Sequence, residues 1–337
     1  MFKKLVLSTL LLFTTILLLQ SCGGGEPTRD EIMASDTTYS LVVREWSKRL
    51  VSYPENVEYR HSRALDLMSD GRNEDALLDI NQVLETSQSV SYFLTKASIL
   101  MELNRSMDAE EAMKAAVEYD PSNDEAHFSL GKLYLIVRKY KESKLHLSEA
   151  IRLNSSNIDA YFNMGMVHKE DGDTAKAIQF FNRVVEIDAL NAEAMHQIAN
   201  LYSEQKDEKG LEYFDRLIFN NDVDHAAYYG RGLLYQRLGQ YEKAMRDYQK
   251  TIDLRSNYYL AFYNAGYLLF LQEKWERAIE HFRLAIKFAP ELTRGYYMLG
   301  LTNEMRGNME QAKRFYEMTL TVDPDYAKAK ERLENLD

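Results

Sequence analysis

The sequence lacks the common signatures of an active site. It contains no glycine-rich phosphate-binding loop and no Gly-x-Ser-x-Gly turn of the kind that presents a nucleophilic serine. Its seven histidines are scattered along the chain, and no two have the spacing of a zinc-binding helix. We therefore predict that the protein is not an enzyme and that it holds neither a metal nor another cofactor.

The sequence also lacks an excess of positive charge. It has 41 Lys and Arg residues against 52 Asp and Glu residues, which gives a net charge of −11 at pH 7. Nucleic-acid binding requires a basic stripe that releases counterions from the phosphates, and none is present. We therefore predict that the protein does not bind nucleic acid, and that its folded part does not contact anionic lipid surfaces.

Cysteine occurs once, at Cys22, directly after a segment that indicates export. Residues 1–21 begin with Lys3 and Lys4 and continue with an apolar run that is too short for a comfortable transmembrane helix. A lone thiol in an exported chain invites unwanted disulfides. A single cysteine at this position is therefore best explained if its sulfur is consumed by another covalent bond.

Residues Leu19-Gln20-Ser21-Cys22 resemble the bacterial lipobox. The resemblance implies cleavage before Cys22 and acylation of that residue, with 1–21 as a lipoprotein signal peptide. Gly23 in place of aspartate implies sorting to the bacterial outer membrane, where we expect the protein to be lipid-anchored on the periplasmic side. Exposure at the cell surface, an ordinary secreted protein and an uncleaved anchor are the alternatives.

The segments on either side of the centre of the chain differ from it in composition. Residues 22–38 are small and polar, which predicts a lipidated cysteine followed by a flexible tether that reaches at most about 50 Å. Residues 39–56 have the apolar spacing of a capping helix or half-repeat. Residues 327–337 alternate charged and apolar residues and predict a C-terminal capping helix.

The chain between these segments repeats itself about every 34 residues. When the segments are aligned on residues 225–258, small residues form one column, and glycine within a helix costs about 1 kcal/mol relative to alanine. A column of small residues therefore indicates two helices that cross too closely for a larger side chain. The members of this column are Gly131, Gly165, Ala199, Gly232, Gly266 and Gly300.

The remaining columns resemble the tetratricopeptide repeat. Repeat 225–258 places Tyr228, Gly232 and Tyr235 on one helical face, and Ala244 and Tyr248 on the next. The resemblance predicts an all-α fold, an α-solenoid of about eight helix-turn-helix repeats that form a right-handed superhelix over 57–326. The eight repeats are 57–89, 90–123, 124–157, 158–191, 192–224, 225–258, 259–292 and 293–326.

In this family, partners bind the concave wall, which the first helix of each repeat supplies. At the fifth position of the repeats and at its neighbours on that wall, this sequence is rich in aromatic and aliphatic residues. Such a groove suits an extended peptide or an inserted helix. Packing of these rings against their own neighbours is the alternative. The candidate partner-binding residues are Phe128, Phe162, His196, Tyr229, Leu233, Tyr263, Tyr267, Phe270, Tyr297 and Leu301.

These features predict a non-catalytic scaffold or adaptor, anchored in the bacterial envelope through acyl chains on Cys22. Its expected partners are other envelope proteins, whose peptide or helix segments would bind in the concave aromatic groove. The alternative is a subunit of a machine that assembles or exports outer-membrane proteins. That alternative would be marked by stable association with a β-barrel protein.

Overall fold

The computed structural model describes residues 26–336 of the chain. The predicted signal peptide and Cys22 therefore lie outside the described residues. Within this range, no helix combines the length and the apolar character that crossing a bilayer requires.

The described residues form helices joined by short turns, as the all-α prediction requires. α3 to α18 fall two to each of the eight repeats, and the first helix of each repeat begins at the first residue of that repeat. The fold class predicted from the sequence is confirmed. The helices are α1 (Arg29–Ser35), α2 (Leu41–Ser52), α3 (Val57–Ser69), α4 (Asn73–Thr86), α5 (Val90–Glu102), α6 (Ser106–Tyr119), α7 (Asp124–Ile136), α8 (Tyr140–Leu153), α9 (Ile158–Glu170), α10 (Thr174–Ile187), α11 (Ala192–Glu204), α12 (Lys209–Asn220), α13 (His225–Arg237), α14 (Tyr241–Leu254), α15 (Tyr259–Leu271), α16 (Trp275–Phe288), α17 (Thr293–Met305), α18 (Met309–Val322) and α19 (Ala327–Glu334).

The described residues divide into two compact units, of which the first ends at Leu133 and the second begins at Tyr134. In the first, α3 packs on α4 and α5 on α6, while in the second each first helix from α9 to α17 packs on the helix that follows it. At the C-terminus, α19 buries Ala329 against a cluster that includes the buried Tyr316. We refer to the two units below as the first and second compact units.

The prediction of a flexible tether over 22–38 is wrong for residues 29–35. These residues form α1, whose N-terminus is closed by a capping box between Thr28 and Glu31. α1 packs against α2 and buries Met33, so the N-terminal element is a helical hairpin rather than a single capping helix. Any free spacer after Cys22 is correspondingly shorter than predicted.

The column of small residues marks close helix crossings, as inferred above. In four repeats of the second compact unit, a Cβ atom added to the column glycine would lie 3.0 Å or less from an aromatic ring on the second helix of the same repeat. That ring is sixteen residues further along the chain in each case. The pairs and distances are Gly165–Phe181 (2.7 Å), Gly232–Tyr248 (3.0 Å), Gly266–Phe282 (2.9 Å) and Gly300–Tyr316 (2.5 Å).

Each of the eight repeats passes between its helices through one residue in the left-handed backbone region. In the seventh repeat this residue is Glu273, at φ 58°, and the N–H of the following Lys274 donates to the carbonyl of Leu269 at 2.9 Å. This bond closes the end of α15 in the manner of a Schellman motif. The eight residues are Gly71, Asn104, Arg138, Gly172, Lys206, Gly239, Glu273 and Gly307.

Replacing Glu273 with glycine is expected to stabilise the protein by up to about 1 kcal/mol, because glycine adopts positive φ without the Cβ penalty, less the entropy it adds to the unfolded chain. Gly239→Ala, at φ 75° with nothing within 4 Å of the added Cβ, is expected to destabilise by about 1 kcal/mol. Urea unfolding measures both changes. A Gly239→Ala variant as stable as the parent would contradict the strain argument.

Candidate protein-binding surface

The predicted fifth-position aromatic residues are half-buried and lie on the first helices of their repeats. Four of these rings each pack on a second-helix ring of their own repeat, nineteen residues further along the chain. The second-helix rings are fully buried, so one side of each of these four rings is committed to the fold. The pairs and their ring-centroid distances are Phe162–Phe181 (5.3 Å), Tyr229–Tyr248 (5.9 Å), Tyr263–Phe282 (5.7 Å) and Tyr297–Tyr316 (5.8 Å).

Tyr229 also connects two repeats. Its ring meets that of Tyr258 edge-on at 5.0 Å, and its hydroxyl oxygen accepts a hydrogen bond of 3.0 Å from Nδ2 of Asn264 on α15. Burial raises the pKa of Tyr229 to about 12, so the phenol stays protonated at neutral pH. Tyr229 therefore helps to hold α13 against α15 and presents only part of its surface.

Tyr263 and Tyr297 carry similar contacts from the following elements. The guanidinium of Arg294 lies 4.5 Å from the ring centroid of Tyr263, and the ring of Tyr326 lies 5.3 Å from that of Tyr297. Burial also raises the pKa of Tyr263. These rings are anchored on one side and partly exposed on the other. They therefore pack against their neighbours and still leave part of their surface open to a partner, which were the two alternatives considered from the sequence.

The structure brings five of the ten predicted residues into one cluster. Around the buried Phe282 and Leu299 lie several half-buried apolar side chains from α15 and α17. Phe270 is held edge-on against Trp275 at 5.3 Å. The predicted residues in this cluster are Tyr263, Tyr267, Phe270, Tyr297 and Leu301.

Exposed apolar side chains adjoin this cluster on the same two helices. Leu271 is 45% exposed at the end of α15, and Met305 is 56% exposed at the end of α17. α15 has no charged residue at any of its 13 positions. We call the cluster residues Tyr263, Tyr267, Phe270, Tyr297 and Leu301, together with Leu271 and Met305, the apolar stripe.

The other predicted residues do not join the apolar stripe. Nε2 of His196 lies 2.8 Å from Oδ2 of Asp224, whose other carboxylate oxygen caps α13 by accepting from the N–H groups of Ala226 and Ala227 at 3.0 Å. His196 is thus engaged in joining the fifth repeat to the sixth. Phe162 packs in a separate cluster, Leu233 is half-buried, and Phe128 belongs to the first compact unit.

Buried tyrosine hydroxyls bind two polar side chains of first helices, a feature that the sequence analysis missed. The hydroxyl of Tyr248 donates to Oε1 of Gln236 at 2.6 Å, and that of Tyr316 donates to Oε2 of Glu304 at 2.5 Å. In both repeats the acceptor precedes the tyrosine by twelve residues. That recurring spacing was the signal available in the sequence.

Two buried or half-buried ion clusters were also missed. Arg63, fully buried on α3, donates from Nε and Nη2 to the carboxylate of Asp79 at 2.7 and 2.8 Å, and from Nη2 to Asp30 of α1 at 2.6 Å. In the sixth repeat, Arg231 makes the same paired bonds to Asp247, each 2.8 Å long. An arginine followed by an aspartate sixteen residues later is the sequence pattern that could have predicted both clusters.

Within residues 26–336, no group of three His, Cys, Asp or Glu side chains is arranged to hold a metal ion. The described surface offers apolar contact, aromatic edges and anchored polar groups. These are the features of a surface that binds another protein.

The fold defines the class of the protein, an α-helical array of two-helix repeats. Four segments match family models described as tetratricopeptide repeat, at residues 94–143, 158–189, 225–258 and 294–326. The chain is a member of the tetratricopeptide repeat family. Repeats of this family generally form non-catalytic scaffolds for protein interactions. No curated protein matches the chain significantly.

Solved structures of repeat proteins share this fold. The C-terminal part of a TPR repeat-containing protein from Cytophaga hutchinsonii is 18% identical, with 70% of this chain and 98% of that chain covered and a TM-score of 0.59. A tetratricopeptide repeat protein from Parabacteroides merdae is 20% identical, with 74% of this chain and 99% of that chain covered and a TM-score of 0.57. The protein pilF from Pseudomonas aeruginosa is 16% identical, with 64% of this chain and 98% of that chain covered and a TM-score of 0.53. At these identities the similarity concerns the fold alone.

Proposed function

We propose that the protein is a lipid-anchored scaffold of the bacterial envelope that binds peptide or helix segments of other envelope proteins on its apolar stripe. The observation that carries the proposal is the stripe itself. α15 presents Tyr263, Tyr267, Phe270 and Leu271 without any charged residue, although a helix on the surface of a soluble domain normally has a charged outer face. Partly exposed rings on a rigid support bind at low entropic cost.

The occupant that fits this surface is an apolar face of an amphipathic helix or an extended peptide with alternating apolar residues. The stripe extends over two neighbouring first helices, α15 and α17, which belong to the same compact unit. Arg294 on the ring of Tyr263 offers a positive charge beside the stripe. A partner segment with apolar anchors and a flanking acidic residue is therefore favoured.

The membrane attachment is proposed from Cys22, which lies outside the described residues. Six residues separate Cys22 from Arg29, the first residue of α1. They extend over about 20 Å at most. With acyl chains on Cys22, the first compact unit would stay close to the bilayer, and we propose the outer membrane with the repeats on its periplasmic side.

The stripe can be tested with a photoreactive amino acid at Leu271, followed by cross-linking in living cells and mass spectrometry. We expect a discrete envelope partner at Leu271 and none at Met318, which is 43% exposed on the second helix α18 and serves as the matched control. Leu271→Glu together with Met305→Glu is expected to remove the cross-link from a probe at Tyr267 without lowering the melting temperature, because both side chains are exposed.

Equal capture at Met318, or a cross-link that survives the two glutamates, would refute the stripe as the binding surface. A captured β-barrel protein that co-purifies stably would favour the assembly or export machine over a general adaptor.

The lipid anchor is tested separately. Cys22→Ala is expected to abolish metabolic labelling with a palmitate analogue and to release the protein from the membrane fraction, and retained labelling would exclude Cys22 as the acylated residue.

A further inference from the structure

The seventh residue of a repeat is basic in three of the eight repeats, at Arg63, Lys96 and Arg231, and apolar in the other five. In the first and sixth repeats the arginine binds an aspartate sixteen residues later, Asp79 or Asp247, through two hydrogen bonds of 2.7–2.8 Å. At this position the fold thus places a carboxylate against a cation that approaches from the neighbouring helix. Paired, charge-assisted bonds of this kind are among the strongest in proteins.

In the second repeat the same position holds Lys96, and the carboxylate is missing. Sixteen residues after Lys96 the chain has Ala112. Arg231 has a further partner on the preceding second helix, Asp215 at 2.6 Å, whereas the preceding second helix beside Lys96 contributes Asn81. Both carboxylates that surround Arg231 thus have uncharged counterparts around Lys96.

A cavity of about 420 Å³ occupies the space beside Lys96, between α4, α5 and α6 of the first compact unit. Lys96 is half-buried, and no other described residue forms a hydrogen bond or an ion pair with it. Apolar side chains supply much of the remaining wall. Together with Lys96, the cavity is lined by Leu77, Asn81, Phe93, Leu100 and Ala112.

The other charged groups at the cavity are already paired. Arg105 bonds to Asp108 at 2.7 Å, and Glu111 lies 3.1 Å from Lys114. Lys96 is therefore the cation available to a ligand. Because residues 26–133 contain 21 acidic and 11 basic residues, a ligand with several negative charges would be repelled by the surrounding surface. A single negative charge on an apolar body fits these conditions.

We propose that this cavity is a binding site for a carboxylate, which pairs with Lys96 as Asp79 pairs with Arg63 and Asp247 with Arg231. The apolar body of the ligand lies against Phe93, Leu77 and the other apolar walls. The volume is within the usual range of ligand pockets, about 300–1,000 Å³. The carboxylate comes from a free organic acid or from an acidic side chain of a bound protein. The site belongs to the first compact unit and does not depend on the apolar stripe of the second.

The proposal is tested by ligand-observed saturation-transfer NMR on the full-length protein. The probes are benzoate and hexanoate, with benzamide and hexanamide as neutral controls, and a capped Leu-Glu-Leu peptide with its Leu-Gln-Leu counterpart. We expect the carboxylates to bind saturably and about tenfold or more tightly than the amides, because the bond to Lys96 is charge-assisted. Binding of the free acids identifies a small-molecule site, and binding of the glutamate peptide alone identifies a site for a protein side chain.

Two variants address the cavity from opposite sides. Lys96→Met removes the cation and keeps the apolar stem, whereas Ala112→Asp supplies an internal carboxylate that pairs with Lys96 in place of the ligand carboxylate. Both variants are expected to abolish binding. The control Lys250→Met removes a lysine in the second compact unit and is expected to leave binding unchanged, and circular dichroism checks that each variant is folded. Equal binding of amides and carboxylates, binding retained in either cavity variant, or no binding of any carboxylate probe would overturn the proposal.

Discussion

Asp79→Ala is expected to lower the free energy of unfolding of the first compact unit by about 3–5 kcal/mol. Asp79 is fully buried and accepts two hydrogen bonds from the equally buried Arg63, with a further ion pair to Arg29 of α1. Removing the carboxylate leaves Arg63 in the core with only Asp30 to balance its charge. Because Asp30 and Arg29 belong to α1, we also expect the N-terminal hairpin to detach.

Urea unfolding measures the loss of stability, and hydrogen exchange of the α1 and α2 amides measures the detachment. Arg63→Met combined with Asp79→Leu removes both buried charges and is expected to be far less harmful to the core. Glu45→Ala, which breaks the exposed pair with Lys48, is the matched surface control and is expected to change stability by less than about 0.5 kcal/mol. A loss no larger for Asp79→Ala than for Glu45→Ala would disprove a structural role for the cluster.

Gly300→Leu is expected to destabilise the second compact unit by about 3 kcal/mol or more, because even the first added carbon would lie 2.5 Å from the ring of the buried Tyr316. Gly300→Ala gains about 1 kcal/mol of helix propensity but loses more to the same clash. Gly232→Ala, whose added carbon would lie 3.0 Å from Tyr248, is expected to be about neutral. The expected loss of stability is therefore largest for Gly300→Leu, smaller for Gly300→Ala and smallest for Gly232→Ala.

Hydrogen exchange of α17 and α18 locates the effect, since a repeat array unfolds region by region. A smaller partner should relieve the clash, so Gly300→Ala combined with Tyr316→Leu is expected to cost less than the sum of the two single changes. Additive effects, or a Gly300→Ala variant more stable than Gly232→Ala, would show that the crossing at this column is not sterically limited.

The fold could be predicted from the sequence because its determinants recur. Each of the column glycines Gly165, Gly266 and Gly300 lies against an aromatic ring sixteen residues further along the chain, and the recurrence of this spacing distinguishes it from chance. The first residues of the first helices could also be predicted, because each first helix begins where the repeat period places it. Local pattern and tertiary packing agree in these repeats.

α1 could not be predicted from apolar periodicity because it buries a single large apolar residue, Met33. Its docking depends on Arg63 and Asp79, which lie more than thirty residues further along the chain. The capping box of Thr28 and Glu31 was readable, but a seven-residue helix is too short to be inferred from a cap alone.

The sequence could predict on which helices the candidate residues lie, but not which of their side chains are free to contact a partner. The fifth-position spacing correctly placed His196 and Tyr263 on first helices. Whether such a side chain is free depends on neighbours in space, namely Asp224 for His196 and Arg294 for Tyr263. Those contacts come from residues of adjacent elements, Asp224 at the N-cap of α13 and Arg294 in the first turn of α17, and a helical period does not specify them.

The steric match between a column glycine and its aromatic ring has a consequence for how such an array can change in length. Gly266 meets Phe282 of its own repeat, so a duplicated copy of 259–292 would carry both halves of that match with it. Two junctions between repeats are different, because a Cβ at Gly230 would lie 2.4 Å from Phe214 of the preceding repeat, and one at Gly295 would lie 2.6 Å from Ile286 of the preceding repeat. An insertion at either junction would therefore separate two surfaces that are shaped for each other.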